Sequence, residues 1–107
     1  MAVVYEIAGI RFMGLNNGIA AVPFNEKISF VLTVDTQDEI DHFWDYFSKE
    51  GAPGQCGWIK DKYGISWQVV PSVLGKLMTN PETAPKAAYA FMQMSKFDIA
   101  QLEAAVV

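Results

Sequence analysis

Gln55-Cys56-Gly57-Trp58-Ile59-Lys60-Asp61-Lys62-Tyr63-Gly64-Ile65-Ser66-Trp67-Gln68-Val69-Val70-Pro71 reads as two strands joined by a tight polar turn. Gly64 stands where the chain needs a positive φ, which glycine adopts without a Cβ clash. Beyond it Ile65, Trp67 and Val69 alternate with Ser66, Gln68 and Val70, the period of a strand with two different faces. Pro71 has no N–H to donate and closes the ladder. Two tryptophans, a cysteine and a glutamine in one hairpin suit the wall of a pocket, and a packed core nearly as well.

Upstream, Ile28-Ser29-Phe30-Val31-Leu32-Thr33-Val34 is a strand with a wholly apolar face (Ile28, Phe30, Leu32, Val34) and a mixed one (Ser29, Val31, Thr33). Thr36-Gln37-Asp38-Glu39 is a capping-box sequence. The helix it opens carries Ile40, Phe43, Trp44 and Phe47 at i, i+3, i+4 and i+7, and Gly51 closes it. Room remains for a further strand between Ala52 and Ile59. His42 lies between the apolar stripe and solvent, and a lone imidazole makes a poor metal site.

At the front, Val3 to Leu15 reads as a hairpin around Ala8-Gly9, with Ile7 facing Ile10, Glu6 facing Arg11 and Tyr5 facing Phe12. Asn16-Asn17-Gly18 is a turn signal. After Pro71, Ser72 caps a short helix through Val73, Leu74, Leu77 and Met78. Asn80-Pro81 opens a helical segment to about Ser95 with Ala88, Phe91, Met92 and Ser95 on one stripe, and Asp98 caps a last helix. The expected fold class is α+β, with an antiparallel or mixed sheet covered on one face. Gly9-Ile10-Arg11-Phe12-Met13 echoes Gly64-Ile65-Ser66-Trp67-Gln68, both as second strands of hairpins, which suggests two related sheet modules.

The 107 residues are enough for one domain and one core. A net charge of −4 leaves no basic stripe to neutralise phosphates, so nucleic acid is not an expected partner. The single cysteine excludes an internal disulfide and fits a reducing cytoplasm. No stretch has the length of a membrane span or the layout of a signal peptide, so a cytoplasmic chain without a membrane partner is expected.

Ile28-Ser29-Phe30, the helix with Asp41 and Trp44, Cys56-Gly57-Trp58-Ile59-Lys60-Asp61, Tyr63-Gly64-Ile65-Ser66-Trp67-Gln68-Val69-Val70-Pro71 and Met94-Ser95-Lys96-Phe97-Asp98-Ile99-Ala100-Gln101-Leu102 together resemble the PhnB-like family. That family carries the label 3-demethylubiquinone 3-methyltransferase and belongs to the vicinal oxygen chelate superfamily, with glyoxalase I and extradiol dioxygenases. The resemblance implies one βαβββ module with an extra N-terminal hairpin and C-terminal helices, in a single domain over residues 1–107. It also implies that the front of a first module is shortened.

In metal-binding relatives, the ligands come from the first and last strands of each module. The matching positions here are Met13, Gln68 and Lys27 or Ile28, which suit no hard divalent ion, so no metal is expected. No glycine-rich turn for a methyl-donor nucleotide is present, and no cofactor is expected.

The candidate lining of a ligand site is Trp58, Trp67, Gln68, Cys56 and Asn16. Three functions follow: binding of a small hydrophobic or aromatic molecule, catalysis on a quinone-like or dicarbonyl substrate as the family label implies, or a non-catalytic structural role. A module with one extra hairpin leaves a sheet edge and an apolar face uncovered, which a homodimer would cover.

Overall fold

The computed structural model describes residues 1–16 and 22–107. Its elements run β1 (Ala2–Ile7), β2 (Ile10–Leu15), β3 (Ser29–Val34), α1 (Gln37–Ser48), β4 (Ala52–Pro53), β5 (Trp58–Lys60), β6 (Ser66–Pro71), α2 (Val73–Thr79), α3 (Ala84–Phe91) and α4 (Ile99–Ala105). The fold is α+β. A four-stranded mixed sheet has the order β3-β6-β5-β4, and β1-β2 forms a separate hairpin. Only the β3–β6 pair is parallel among the described strands, because the chain runs back along α1 and then reverses through β4 and β5, so that β6 enters beside β3 in the same direction.

The N-terminal hairpin has the expected register: Ile7 faces Ile10, Glu6 faces Arg11 and Tyr5 faces Phe12. Ala8 at φ 51° and Gly9 at φ 80° form the two-residue turn whose twist matches the strands. Tyr5 and Phe12 stack at 5.8 Å. Glu6 and Arg11 stay opposite without closing to an ion pair among the described residues, as solvated pairs do when hydration competes with contact. Asn17 and Gly18 of the expected turn lie outside the described residues.

The capping box forms in full. Thr36 accepts from the Glu39 N–H at 3.2 Å, and Glu39 Oε1 accepts from the Thr36 N–H at 3.2 Å. Ile40, Trp44 and Phe47 are buried on the α1 stripe, against the side of the sheet that carries Ile59 and Val69. Gly51 does not end the helix through a left-handed cap. A Cβ there would run into the carbonyls of Phe47 and Lys60, so close backbone approach is what requires glycine.

The C-terminal helices depart from the sequence reading in detail. Ser72 makes no side-chain cap, since its φ and ψ are already helical. Asn80 is extended, its Oδ1 accepts from the Glu82 N–H at 3.0 Å and its carbonyl from the Ala84 N–H at 2.8 Å, so it caps a first turn as expected, while regular α3 begins at Ala84. The buried stripe is accordingly Ala87 and then Met94, with Phe91 half-buried between them, while Met92 is exposed. Asp98 does cap α4, accepting from the Gln101 N–H at 3.0 Å.

Two sets of contacts join this helical cap to the rest. The turn before β5 places Cys56 at φ 58° and Gly57 at φ 81°. The Cys56 N–H donates to Met94 O and the Gly57 N–H to Ser95 O, both at 2.8 Å. A Cβ on Gly57 would stand 2.5 Å from the Phe97 ring and 2.9 Å from Val69 O, so glycine alone fits. On the other side, the Gln37 amide donates to Phe97 O and accepts from the Ile99 N–H, each at 2.9 Å. Lys96 adds an ion pair to Asp41 at 2.9 Å.

Three outcomes are expected in urea titrations. Gly57→Ala costs about 2–5 kcal/mol, combining left-handed strain with overpacking against Phe97. Gly64→Ala, at φ 85° with open space around it, costs only about 1 kcal/mol. The hydrogen bond from Lys96, reinforced by Gln37, holds the Asp41 carboxyl below the usual carboxylate range. A lowered folded value contributes stability above the unfolded carboxylate range that is lost as pH falls through the folded value. Between about pH 5 and pH 2 the urea midpoint should therefore drop further for the native chain than for Asp41→Asn.

Candidate functional site

Strand alternation divides the sheet into two chemically different faces. Phe30, Leu32 and Val34 of β3, Ile59 of β5, and Trp67, Val69 and Pro71 of β6 share the α1 side by register. Ser29, Val31 and Thr33, with Trp58, Lys60, Ser66, Gln68 and Val70, share the other. α1 packs on β4, β5 and β6 from the first side. The second side is open enough that Val31 is 55% exposed.

Trp58 stands directly across from Gln68 on this open face, and Val31 is the β3 neighbour of Gln68. Gln68 Nε2 donates to Ser29 Oγ at 2.9 Å, which fixes the amide and leaves its carbonyl oxygen turned away from that bond. Ser66 is 1% exposed, and its hydroxyl has no hydrogen-bond partner among the described residues. It lines a concavity of about 280 Å³ with Trp58, Lys60, Glu26, Ala52 and Pro53. Lys60 pairs with Glu26 at the rim, and that hydrogen bond holds the Glu26 carboxyl below its usual range.

The five side chains singled out from sequence do not line one wall. Trp58 and Gln68 meet. Cys56 lies in the turn leading into Trp58 and is half-buried. Trp67 points to the α1 side, stacked on Phe47 at 5.0 Å and tilted against Phe30 at 5.2 Å. Asn16 closes the base of the separate hairpin, its N–H donating to Met1 O at 2.9 Å. Ser29 and Ser66 were not singled out, although the period of two that exposes Gln68 puts both beside it.

Asp61 is the other residue that the sequence reading passed over. Its Oδ1 accepts from the N–H groups of Tyr63 and Ile65 at 2.9 and 3.0 Å, and its Oδ2 accepts from the Trp67 indole at 2.9 Å. The signal was an Asp two residues before a free N–H in a polar turn, the pattern of an Asx turn. His42 is exposed and touches Phe43 edge-on at 5.3 Å.

A metal centre of the glyoxalase type does not fit these residues. Met13 is exposed on the hairpin and offers only a soft thioether, and Gln68 offers one neutral amide oxygen, where a hard divalent ion favours carboxylates or several imidazoles. Among the described residues, no three of His, Cys, Asp and Glu gather closely enough to hold an ion. No helix of the described residues is long and apolar enough to cross a membrane.

Residues 1–70 match the family model described as 3-demethylubiquinone-9 3-methyltransferase. The chain belongs to that family, which is the PhnB-like group that its motifs resemble. Among solved structures it is similar to a PhnB protein from Bacillus cereus described as a candidate 3-demethylubiquinone-9 3-methyltransferase. The identity is 26% and the TM-score 0.50, over 67% of this chain and 64% of that one. The chain thus spans a little under two thirds of that relative. No curated protein matches it. Placement in the vicinal oxygen chelate superfamily is consistent with this fold.

Removing the Asp61 carboxylate leaves two backbone donors and one indole donor without their acceptor. Asp61→Ala should cost about 1–3 kcal/mol in urea denaturation and shift the Trp67 indole N–H resonance, while Asp61→Asn retains part of both.

Proposed function

We propose that this chain binds a small hydrophobic or aromatic molecule on the open face of its four-stranded sheet, without a metal ion. Trp58 supplies the apolar wall, Val31 extends it, and the carbonyl oxygen of Gln68 orients the ligand. An aromatic wall with a few placed polar groups is the usual construction of a small-molecule site. The observation that carries the reading is the pairing of Trp58 with Gln68 on an uncovered face, beside the unpartnered Ser66 hydroxyl.

In this proposal the site is completed by a second copy of the chain in the cytoplasm. The β1–β2 hairpin has apolar side chains exposed on both faces, among them Val4, Tyr5, Ile7, Ile10 and Met13. A two-stranded hairpin alone is marginally stable in water, so a covering partner is favoured. The hairpin of one copy over the open face of the other buries both apolar surfaces.

Light scattering should return a mass twice the 11.9 kDa of one chain. A folded monomer would remove the intersubunit part of the reading. Titration with 1,4-naphthoquinone should quench tryptophan fluorescence, and Trp58→Ala and Gln68→Ala should each weaken binding about fivefold to thirtyfold with little change in the urea midpoint. Native affinity retained by both variants would locate the ligand elsewhere.

A further inference from the structure

A second cleft, on the other side of the sheet, lies between the end of α1 and the turn joining β5 to β6. It has a volume of about 550 Å³, and its lining combines the aromatic rings of Tyr46, Phe47, Tyr63 and Trp67 with two cations, Lys49 and Lys62, and two carboxylates, Glu50 and Asp61. That volume is in the range of small-molecule sites. None of the open-face residues Trp58, Gln68, Ser29 or Ser66 contributes to it.

The charges of this cleft are unequally occupied. Asp61 is engaged by three N–H donors. Glu50 is paired with Lys62 at 3.3 Å, and that hydrogen bond raises the Lys62 ammonium above its usual range. The ion pairs of the described residues are Lys60–Glu26, Lys62–Glu50 and Lys96–Asp41, and Lys49 is in none of them. The cation left to meet a ligand is therefore Lys49.

The aromatic groups divide in the same way. Trp67 is held between Phe47 and Phe30 and its indole N–H is bound to Asp61, so it forms a rigid floor. Tyr46 and Tyr63 are 67% and 70% exposed and approach the cleft from two different elements. The Lys62 ammonium stands 5.2 Å from the Tyr63 ring centroid and Tyr46 meets Phe47 at a steep angle at 5.5 Å, and the exposed remainder of each ring is the surface that can stack on a flat guest.

We propose that this helix-side cleft binds an aromatic carboxylate, its ring between Tyr46 and Tyr63 and its anion on Lys49. The Lys62–Glu50 pair joins the segment just after α1 to the turn between β5 and β6. A neutral aromatic compound lacks the partner for Lys49, and a non-aromatic carboxylate lacks the stacking surface. The preference is for a ligand with both.

The test is a titration of the isotopically labelled full chain with 2-naphthoate, followed by the indole N–H resonances and by calorimetry. 2-Naphthalenemethanol and cyclohexanecarboxylate serve as controls. The expected result is millimolar or tighter binding of 2-naphthoate that moves the Trp67 indole and leaves Trp58 in place. Each control should bind at least about fivefold more weakly, the worth of one exposed charge contact or one aromatic contact. Lys49→Gln and Tyr63→Ala, both at exposed positions, should each reproduce that loss.

Equal binding of the neutral alcohol, or full retention by Lys49→Gln, would overturn the proposal, as would no binding at about 5 mM, a concentration that would largely fill a site of millimolar affinity. Shifts confined to the Trp58 indole would also overturn it, and would favour the open face instead. Because the Trp58 and Trp67 indoles report separately, with buried Trp44 as a third resonance, failure of one site is distinguishable from failure of the other.

Discussion

The structure depends on the seating of the Cys56-Gly57 turn against the segment Met94 to Phe97. Two backbone hydrogen bonds of 2.8 Å join the turn to Met94 and Ser95, and the Phe97 ring lies where a Gly57 side chain would stand. The Val69 N–H also donates to Gly57 O, so the same glycine anchors β6. One left-handed residue pair thus holds the sheet, the β5 approach and the C-terminal cap together. Phe97 can be 1% exposed in so short a chain because Gly57 makes room for it.

That seating has consequences for function. With α1 and the C-terminal segment on one side, the apolar residues of β3, β5 and β6 are used for packing there. The alternation then leaves Trp58, Gln68 and Ser29 together on the face that α1 does not cover. The same strand β6 feeds both candidate sites, Gln68 on the open face and Trp67 on the helix side. A turn organised by one carboxylate, Asp61, sets where Trp67 and Tyr63 stand.

Much of the local structure was legible because it is decided by neighbours in sequence. Ala8-Gly9 sets the register of the first hairpin, and Gly64 takes the positive φ expected of it. Thr36 and Glu39 cap α1 reciprocally, and Asp98 caps α4. Where several local signals compete, the reading failed. Ser72 has the form of a helix cap, but its backbone is already helical and its side chain makes no capping bond. Gly51 has the form of a helix stop, yet it is required by the passing backbone of Lys60.

Sequence by itself determined the α+β class, the strand periods and the caps of α1 and α4, because turn chemistry and side-chain alternation act over a few residues, and its motifs carried the membership of the PhnB-like family. Only the tertiary structure decided which face of β6 is covered. Period two says that Trp67 and Gln68 point apart, but not which of them meets α1. That choice rests on contacts between residues distant in the chain: Phe47 on Trp67, Gln37 on Phe97 and Gly57 beneath the Phe97 ring. No local pattern encodes such contacts, since each depends on where another element has already come to lie.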